Sequence, residues 1–244
     1  MEARYSTDRS ASWSDPVAVA SNVSNIMTPL RTRAGRLILP GNLSFPWTDD
    51  PLGLSGWTWA GVPGMQASVV DTYYNMAEIN RLAGTGQSYT EACCFERDDG
   101  VIVAMLRNER RGIFRLGACQ SLDCGATWSK PVLTQFTDAV ARSHFGRLPD
   151  GRYFAVSCPA PPSDGRTHGV RTPLVLALSD DGIVFDRHYI VGQEPEAKPR
   201  LEGLFKVGRY GYPYFLCHGG KGYVIYSVNK EDVAVGIFDL AQLD

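Results

Sequence analysis

The sequence contains, near its centre, the stretch Ser121-Leu122-Asp123-Cys124-Gly125-Ala126-Thr127-Trp128, which has the form S-x-D-x-G-x-T-W. Ser and Asp side chains can accept hydrogen bonds from nearby backbone amides, Gly can adopt a left-handed conformation, and an aromatic ring can pack beneath the loop. The stretch therefore predicts a tight turn between two strands. A weaker copy with Ser10 in place of Gly covers residues 6–13, and a shortened copy that ends in Phe185 covers residues 179–185.

A second repeated element is a glycine-containing turn followed by a short apolar run. Such turns favour β-hairpins because their backbone needs a positive φ. Four of them occur, at Ala34-Gly35, Asp99-Gly100, Asp150-Gly151 and Gly219-Gly220. Together with the S-x-D-x-G turns, these glycine turns predict a β-repeat array. Its four-stranded units cover approximately residues 25–87, 88–138, 139–192 and 200–239. Half a unit precedes them, and residues 72–82 could form one short helix.

Composition excludes several classes of protein. The chain has 244 residues, of which 44% are hydrophobic and 20% are charged, and this is typical of a globular domain. The formal net charge of −2 provides no general attraction for nucleic acid. No apolar run approaches the roughly 20 residues that a membrane span requires, and the N-terminus lacks the pattern of a signal peptide. The localisation of the protein is left open.

The cysteines do not have the spacing of a disulfide framework. We expect reduced thiols rather than disulfides, because a domain of this size has a real core. The absence of a C-x-x-C pair argues against structural zinc. The six cysteines are Cys93, Cys94, Cys119, Cys124, Cys158 and Cys217.

The S-x-D-x-G-x-T-W elements resemble the Asp boxes of the sialidase-like superfamily, whose members carry BNR repeats. The resemblance implies an all-β, six-bladed β-propeller with four-stranded blades. The chain, residues 1–244, is expected to be a single domain of this kind that lacks its N-terminal blades and has about four to five blades. By the same resemblance, Ser121, Asp123, Gly125 and Trp128 are structural residues.

The resemblance also assigns candidate site residues. Sialidases carry a Glu at the start of one strand, and an Arg ends the next strand after a D-G turn; Glu91 and Arg107 occupy these places. A further substrate-binding Arg precedes an Asp box, where Arg171 stands eight residues before Ser179, with Arg166 as a nearby competitor. The planar guanidinium suits this task because it can bind a carboxylate at two points. The alternative is that Glu91 and Arg107 are solvated residues of a surface strand.

The segment Tyr210-Gly211-Tyr212-Pro213-Tyr214 corresponds to the strand on which sialidases present a nucleophilic Tyr. A neutral phenol that is deprotonated by a neighbouring Glu avoids the repulsion between a carboxylate nucleophile and a substrate carboxylate. The resemblance favours Tyr212 as the nucleophile and Glu91 as its base. Direct register with the sialidase strand falls on Gly211, and Tyr210 and Tyr214 remain alternative nucleophiles. These tyrosines could equally be aromatic core residues.

The chain also departs from the sialidase pattern. Sialidases take a third Arg and an Asp acid/base from their first blades, which we expect to be missing here, and no R-I-P motif is present. Asp49, Asp50 and Asp71 could face the pocket, but no motif links them to acid/base chemistry. The same region, residues 42–87, holds six aromatic residues that are either a sugar-stacking wall or core: Phe45, Trp47, Trp57, Trp59, Tyr73 and Tyr74. A lone His144 is more often structural.

The resemblance thus implies a glycoside hydrolase that removes sialic acid or a related acidic sugar from glycoconjugates, and neither a cofactor nor a metal is expected. It could be inactive in this form. The alternatives are a BNR-repeat propeller that binds carbohydrate or protein without catalysis, and a glycosidase or lyase for another acidic or deoxy sugar. The expected partner is a carbohydrate, and neither nucleic acid binding nor a membrane span is expected.

Overall fold

A computed structural model describes residues 1–24, 27–69, 71–161, 165, 169–203 and 206–243. Within them, helix is confined to α1 (Met76–Leu82) and two 3-10 turns, Tyr73–Asn75 and Leu240–Gln242. The strands are β1 (Glu2–Ala3), β2 (Val17–Ala18), β3 (Leu30–Arg31), β4 (Leu37–Ile38), β5 (Trp47–Thr48), β6 (Tyr89–Glu96), β7 (Ile102–Asn108), β8 (Arg115–Ser121), β9 (Val132–Thr137), β10 (His144–Arg147), β11 (Tyr153–Ser157), β12 (Leu174–Ser179), β13 (Arg187–Gly192), β14 (Tyr210–His218), β15 (Lys221–Val228) and β16 (Asp232–Asp239).

The strands form five small sheets in which neighbours in sequence are neighbours in space. The orders are β1-β2, β3-β4-β5, β6-β7-β8-β9, β10-β11-β12-β13 and β14-β15-β16. The protein is therefore all-β, as the sequence predicted. The chain divides into two compact units: unit 1 comprises Met1–Ala104 and Cys119–Val132, and unit 2 comprises Met105–Ala118 and Leu133–Asp244.

The predicted glycine turns each lie between two neighbouring strands. β3 pairs antiparallel with β4 around Gly35, β10 with β11 around Gly151, and β14 with β15 around Gly219 and Gly220. Asp99-Gly100 separates β6 from β7. Gly151 has a φ of 99°, which residues with a side chain rarely adopt. The hairpin prediction is confirmed, and so is the short helix expected at residues 72–82.

The turn at residues 121–128 has the predicted hydrogen bonds. The Ser121 hydroxyl accepts the Gly125 N–H at 2.7 Å, and the Asp123 carboxylate accepts the Thr127 N–H at 2.8 Å and its hydroxyl at 2.6 Å. Trp128 is 5% exposed and stacks on Phe45 with ring centroids 4.0 Å apart. These residues therefore build the turn and the core of unit 1.

The copy at residues 6–13 has the same bonds without the glycine. Asp8 accepts the Ser12 N–H at 2.9 Å and the Ser12 hydroxyl at 2.6 Å, and these bonds lower the pKa of Asp8 to about 2. Ser10 adopts a φ of 70° at the glycine position. Trp13 is 57% exposed, so this ring does not serve as a core residue.

The aromatic residues of the 42–87 region have different roles. Phe45 is fully buried, Trp47 lies 3.6 Å beneath the Arg36 guanidinium, and Tyr74 is exposed. Trp57 and Trp59 are half-buried on either side of Thr58, which bridges to Trp47. The Tyr73 side chain lies outside the described part of the structure. Phe45 is thus a core residue rather than a sugar-stacking one.

All six cysteines lie in the described part of the chain, and no disulfide joins any of them there. Cys93, Cys94 and Tyr153 are buried and belong to the core. Among the described residues, no helix has the length and hydrophobicity that crossing a membrane requires.

Candidate active site

Glu91 belongs to unit 1 and lies near the start of β6, half-buried and with a φ of 50°. Its backbone N–H donates to the Asn42 side-chain oxygen at 3.0 Å, and the Thr90 hydroxyl donates to the same oxygen at 2.6 Å. Asn42 in turn donates to the buried Asp71 carboxylate from its backbone at 3.0 Å and from its side chain at 2.6 Å, and Ser44 also donates to that carboxylate. This network fixes the backbone at Glu91 in its left-handed conformation.

The three aspartates that were candidates for the pocket have structural partners instead. Asp49 forms an ion pair with Arg36 at 2.7 Å, and Asp50 accepts backbone N–H groups, including that of Leu54 at 3.0 Å. Asp71 is fully buried, and burial raises the pKa of its carboxyl against the opposing effect of its hydrogen bonds. The expectation that these aspartates could face the pocket is wrong for Asp71, because its carboxylate is enclosed by its own network.

Arg107 and Arg171 both belong to unit 2, and both are buried. Arg107 lies near the end of β7, is 9% exposed, and forms an ion pair with Glu109 at 2.8 Å. Arg171 precedes β12, is 3% exposed, and donates from Nη2 to the Val140 carbonyl at 2.8 Å. Burial lowers the pKa of Arg171, and the positive charge of Arg107 lowers it further. The alternative that Arg107 is a solvated surface residue is wrong. The competing Arg166 lies outside the described residues.

The backbone around Arg171 is shaped to hold its side chain. The residue itself has a φ of 54°. Gly208 lies against the aliphatic part of the side chain so closely that a Cβ atom there would stand 2.6 Å from Cγ and 2.7 Å from Cδ of Arg171. A residue larger than glycine at position 208 would therefore displace the arginine.

Asp138 is a buried carboxylate that the sequence analysis did not single out. It follows β9 in unit 2 and is 1% exposed. Its Oδ2 accepts the Ala141 N–H at 3.0 Å, whereas Oδ1 is buried without a hydrogen-bond partner among the residues that the structure describes. Burial raises the pKa of Asp138 to about 7, although the charges of Arg107 and Arg171 oppose this rise. In the sequence, Asp138 is marked only as an acidic residue between a strand and the start of the next repeat, and this position alone does not predict burial.

Tyr212 lies at an irregularity in β14, where the pairing with β15 shifts register between Gly211 and Tyr214. It has a φ of 53° and is 38% exposed. The Arg142 guanidinium stands 5.9 Å from the centre of its ring and the Lys230 ammonium 5.2 Å. Tyr212 is therefore an accessible phenol in a cationic environment.

The two neighbouring tyrosines have structural contacts. Tyr210 is buried, and its hydroxyl accepts the Glu194 N–H at 3.1 Å. Tyr214 stacks on His144 with ring centroids 4.2 Å apart. His144 accepts the Phe215 N–H on Nδ1 at 2.9 Å, and burial, together with the charge of Arg142, lowers the pKa of His144 to about 3. His144 is thus a neutral packing residue, as expected.

Three of the four predicted residues, Arg107, Arg171 and Tyr212, belong to unit 2, and Arg171 lies within electrostatic range of both Arg107 and Tyr212. Glu91, Arg171 and Tyr212 all have a positive φ, which costs of the order of 1–3 kcal/mol in a residue other than glycine and tends to occur at functional positions. Within the described residues there is no group of three or more His, Cys, Asp or Glu side chains that could hold a metal ion.

Short consecutive sheets, glycine hairpins and S-x-D-x-G turns define an all-β protein built from BNR-type repeats. The BNR repeat-like domain family matches residues 1–225, and the chain belongs to this family, whose repeats the sequence predicted. No curated protein gave a significant match.

Several solved structures share the fold at low sequence identity. A leech intramolecular trans-sialidase, in complex with 2,7-anhydro-Neu5Ac, is 18% identical with a TM-score of 0.64 over 98% of this chain and 36% of its own. An intramolecular trans-sialidase from Ruminococcus gnavus is 17% identical with a TM-score of 0.61 over 98% of this chain and 50% of its own. A protein of unknown function from Dyadobacter fermentans is 18% identical with a TM-score of 0.61 over 97% of this chain and 62% of its own. This chain therefore spans only part of the length of each.

Proposed function

We propose that this chain is the binding and nucleophile-bearing part of a glycoside hydrolase that acts on terminal sialic acid or a related acidic sugar of glycoconjugates. The observation that carries the proposal is the pair of buried arginines, Arg107 and Arg171, in electrostatic range of each other in unit 2. Two like charges removed from water need an anion to offset the cost of desolvation and repulsion.

Two carboxylates of unit 2, Glu109 and Asp138, act on this charge. Glu109 pairs with Arg107. Because the pKa of Asp138 is raised to about 7, only part of the Asp138 population carries a negative charge at neutral pH. The carboxylate of an acidic sugar would add a negative charge beside the two arginines and could accept two parallel hydrogen bonds from a guanidinium.

Tyr212 is the proposed nucleophile. Its exposure and its position at a strand irregularity favour it over the buried Tyr210 and the stacked Tyr214. The cationic groups of Arg142 and Lys230 lie near the ring of Tyr212, at 5.9 and 5.2 Å from the ring centre. By resemblance to sialidases, Glu91 is the proposed base, and its strained backbone is consistent with a functional role.

We further propose that the chain is a single β-propeller domain of four to five blades that corresponds to the C-terminal two-thirds of a six-bladed domain. Support comes from the sheets β3-β5, β6-β9, β10-β13 and β14-β16, each of which falls within one of the four repeat units predicted from the sequence. The solved sialidases that share the fold are longer than this chain.

The structural bonds of the three candidate aspartates favour a second candidate function, a propeller that binds an acidic sugar without hydrolysing it. A retaining glycosidase needs a general acid, and its loss costs about 10²–10⁴-fold in rate. Asp49, Asp50 and Asp71 are all engaged in structural bonds. The acid/base of the reaction is therefore unassigned in this chain.

The test compares binding and hydrolysis. Calorimetry measures the binding of a 2,3-dehydro sialic acid analogue and of neutral galactose to the 244-residue chain, and a fluorogenic sialoside reports hydrolysis. We expect the acidic sugar to bind and galactose not to, and Arg171→Lys to weaken binding at least about tenfold because the bidentate contact is lost.

Hydrolysis decides between the two candidates. We expect Tyr212→Phe to abolish hydrolysis and to keep binding within about threefold of wild type, whereas Tyr214→Phe serves as the matched control with both retained. Binding without any hydrolysis selects the second candidate. Equal affinity for the acidic and neutral sugars overturns the proposal.

A further inference from the structure

We infer that Asp138 is a positioning residue of the arginine pair that takes up a proton from solvent when an acidic sugar binds, so that occupancy of the site depends on pH. The inference rests on the proposed function and deepens it. It concerns unit 2 alone, to which Asp138, Arg107 and Arg171 belong.

The local geometry links the carboxyl of Asp138 to the guanidinium of Arg171 through one short turn. Oδ2 of Asp138 accepts the Ala141 N–H at 3.0 Å, which fixes the carboxyl plane against the backbone. The residue before Ala141, Val140, has a φ of 55° and accepts the Arg171 Nη2–H at 2.8 Å. The turn at residues 138–141 therefore both holds the carboxyl of Asp138 and anchors the side chain of Arg171.

The remaining oxygen distinguishes Asp138 from a purely structural buried acid. Asp71 offers the comparison: it is just as buried, and it accepts hydrogen bonds from the backbone and side chain of Asn42 and from Ser44. Oδ1 of Asp138 is buried without such a partner in the described part of the chain. That oxygen is the place where a proton can be added without breaking a hydrogen bond.

The charged and titratable groups around Asp138 set the direction of the coupling. Arg107 on β7 and Arg171 before β12 favour the carboxylate, and Cys158 after β11 is a neutral thiol because burial raises its pKa to about 12. Tyr212 and Glu109 act on these arginines rather than on Asp138 directly. A bound sugar carboxylate neutralises the arginines and adds a negative charge nearby, and both changes favour protonation of Asp138.

Because burial raises its pKa to about 7, Asp138 is partly ionised at neutral pH when no ligand is bound. Ligand binding then moves its titration to higher pH, and by linkage the affinity for the anion falls as pH rises through this range. The fall approaches tenfold per pH unit where one proton is taken up per ligand.

The test counts protons by calorimetry at pH 7.5, with the 2,3-dehydro sialic acid analogue in two buffers that differ in ionisation enthalpy. We expect wild-type protein to take up a substantial fraction of one proton per ligand and Asp138→Asn to take up none. The variant mimics the protonated acid, so we expect its affinity to be independent of pH between about 6.5 and 8.5. Asp186→Asn is the control, since it removes an exposed carboxylate of unit 2 and is expected to leave the proton count unchanged.

Each outcome has one meaning. Equal proton uptake by wild type and Asp138→Asn overturns the inference and leaves the proposed function standing. Absence of anion binding by wild type overturns the proposed function, and the inference with it. If Asp138→Asn does not fold, ¹³C-aspartate labelling of wild type replaces it: we expect a carboxyl resonance that titrates near neutral pH and moves to higher pH on ligand addition, and an unmoved titration overturns the inference.

Discussion

Gly208→Ala is a perturbation that reaches the arginine pair without changing a charged residue. Gly208 has a φ of +77°, and a Cβ added there would stand 2.6 Å from Cγ and 2.7 Å from Cδ of Arg171. Ordinary van der Waals contact begins near 3.4 Å, so the arginine must move by close to an ångström. It would then lose its 2.8 Å hydrogen bond to Val140.

The loss of unfolding free energy caused by Gly208→Ala has two parts, which a matched control variant separates. Gly220 has a φ of +75°, and nothing lies within 4 Å of its added Cβ, so Gly220→Ala introduces only the backbone strain of about 1–2 kcal/mol. Gly208→Ala adds the loss of a charge-assisted hydrogen bond, worth about 1.5–3 kcal/mol. We expect the two variants to differ by about that second amount in the free energy of unfolding.

The assays are urea unfolding and calorimetric binding of the acidic sugar analogue. We expect Gly208→Ala to bind at least about tenfold more weakly than wild type, which corresponds to about 1.4 kcal/mol, and Gly220→Ala to bind as wild type does. Equal unfolding free energies and equal affinities for the two variants would refute the argument that position 208 holds Arg171 in place.

Two further predictions concern packing and pH. Trp128→Ala should lower the free energy of unfolding by about 3–5 kcal/mol because the ring is 5% exposed, whereas Trp13→Ala, at 57% exposed, should change it by less than about 0.5 kcal/mol; similar losses in urea unfolding would contradict the different roles of the two copies. The pKa of Asp138 is raised from 3.8 to about 7, so the folded state binds more protons than the unfolded state between these values and the free energy of unfolding falls as pH rises from about 4 to 7. Asp138→Asn should remove this pH dependence of the free energy of unfolding, which amounts to at most about 4 kcal/mol. Parallel pH profiles of stability for the variant and the wild type would contradict the raised pKa of Asp138.

The sequence was most informative where local chemistry determines the conformation. The turn at residues 121–128 was predictable because its hydrogen bonds join residues no more than four apart, and the glycine hairpins for the same reason. Arg171 was singled out by the resemblance to sialidases, from its position eight residues before Ser179, and its role in binding stays a prediction.

Residues whose roles depend on distant partners were not predictable in this way. Asn42 supports the backbone of Glu91 from 49 positions away. Asp138 looks like an ordinary acidic residue after a strand, and only the folded chain places it near Arg107 and Arg171. Gly208 matters because it lies against the side chain of Arg171. No local sequence pattern predicts that contact.

The N-terminal copy of the turn bears on how such repeats are recognised. Ser10 adopts a φ of 70° where the central copy has Gly125 at 84°, yet the hydrogen bonds that Asp8 accepts from Ser12 match those that Asp123 accepts from Thr127. A carboxylate and a hydroxyl can therefore hold the loop even when the residue best suited to its shape has been lost. Repeats of this type can diverge at the glycine and keep their geometry, so a search that insists on glycine will undercount them.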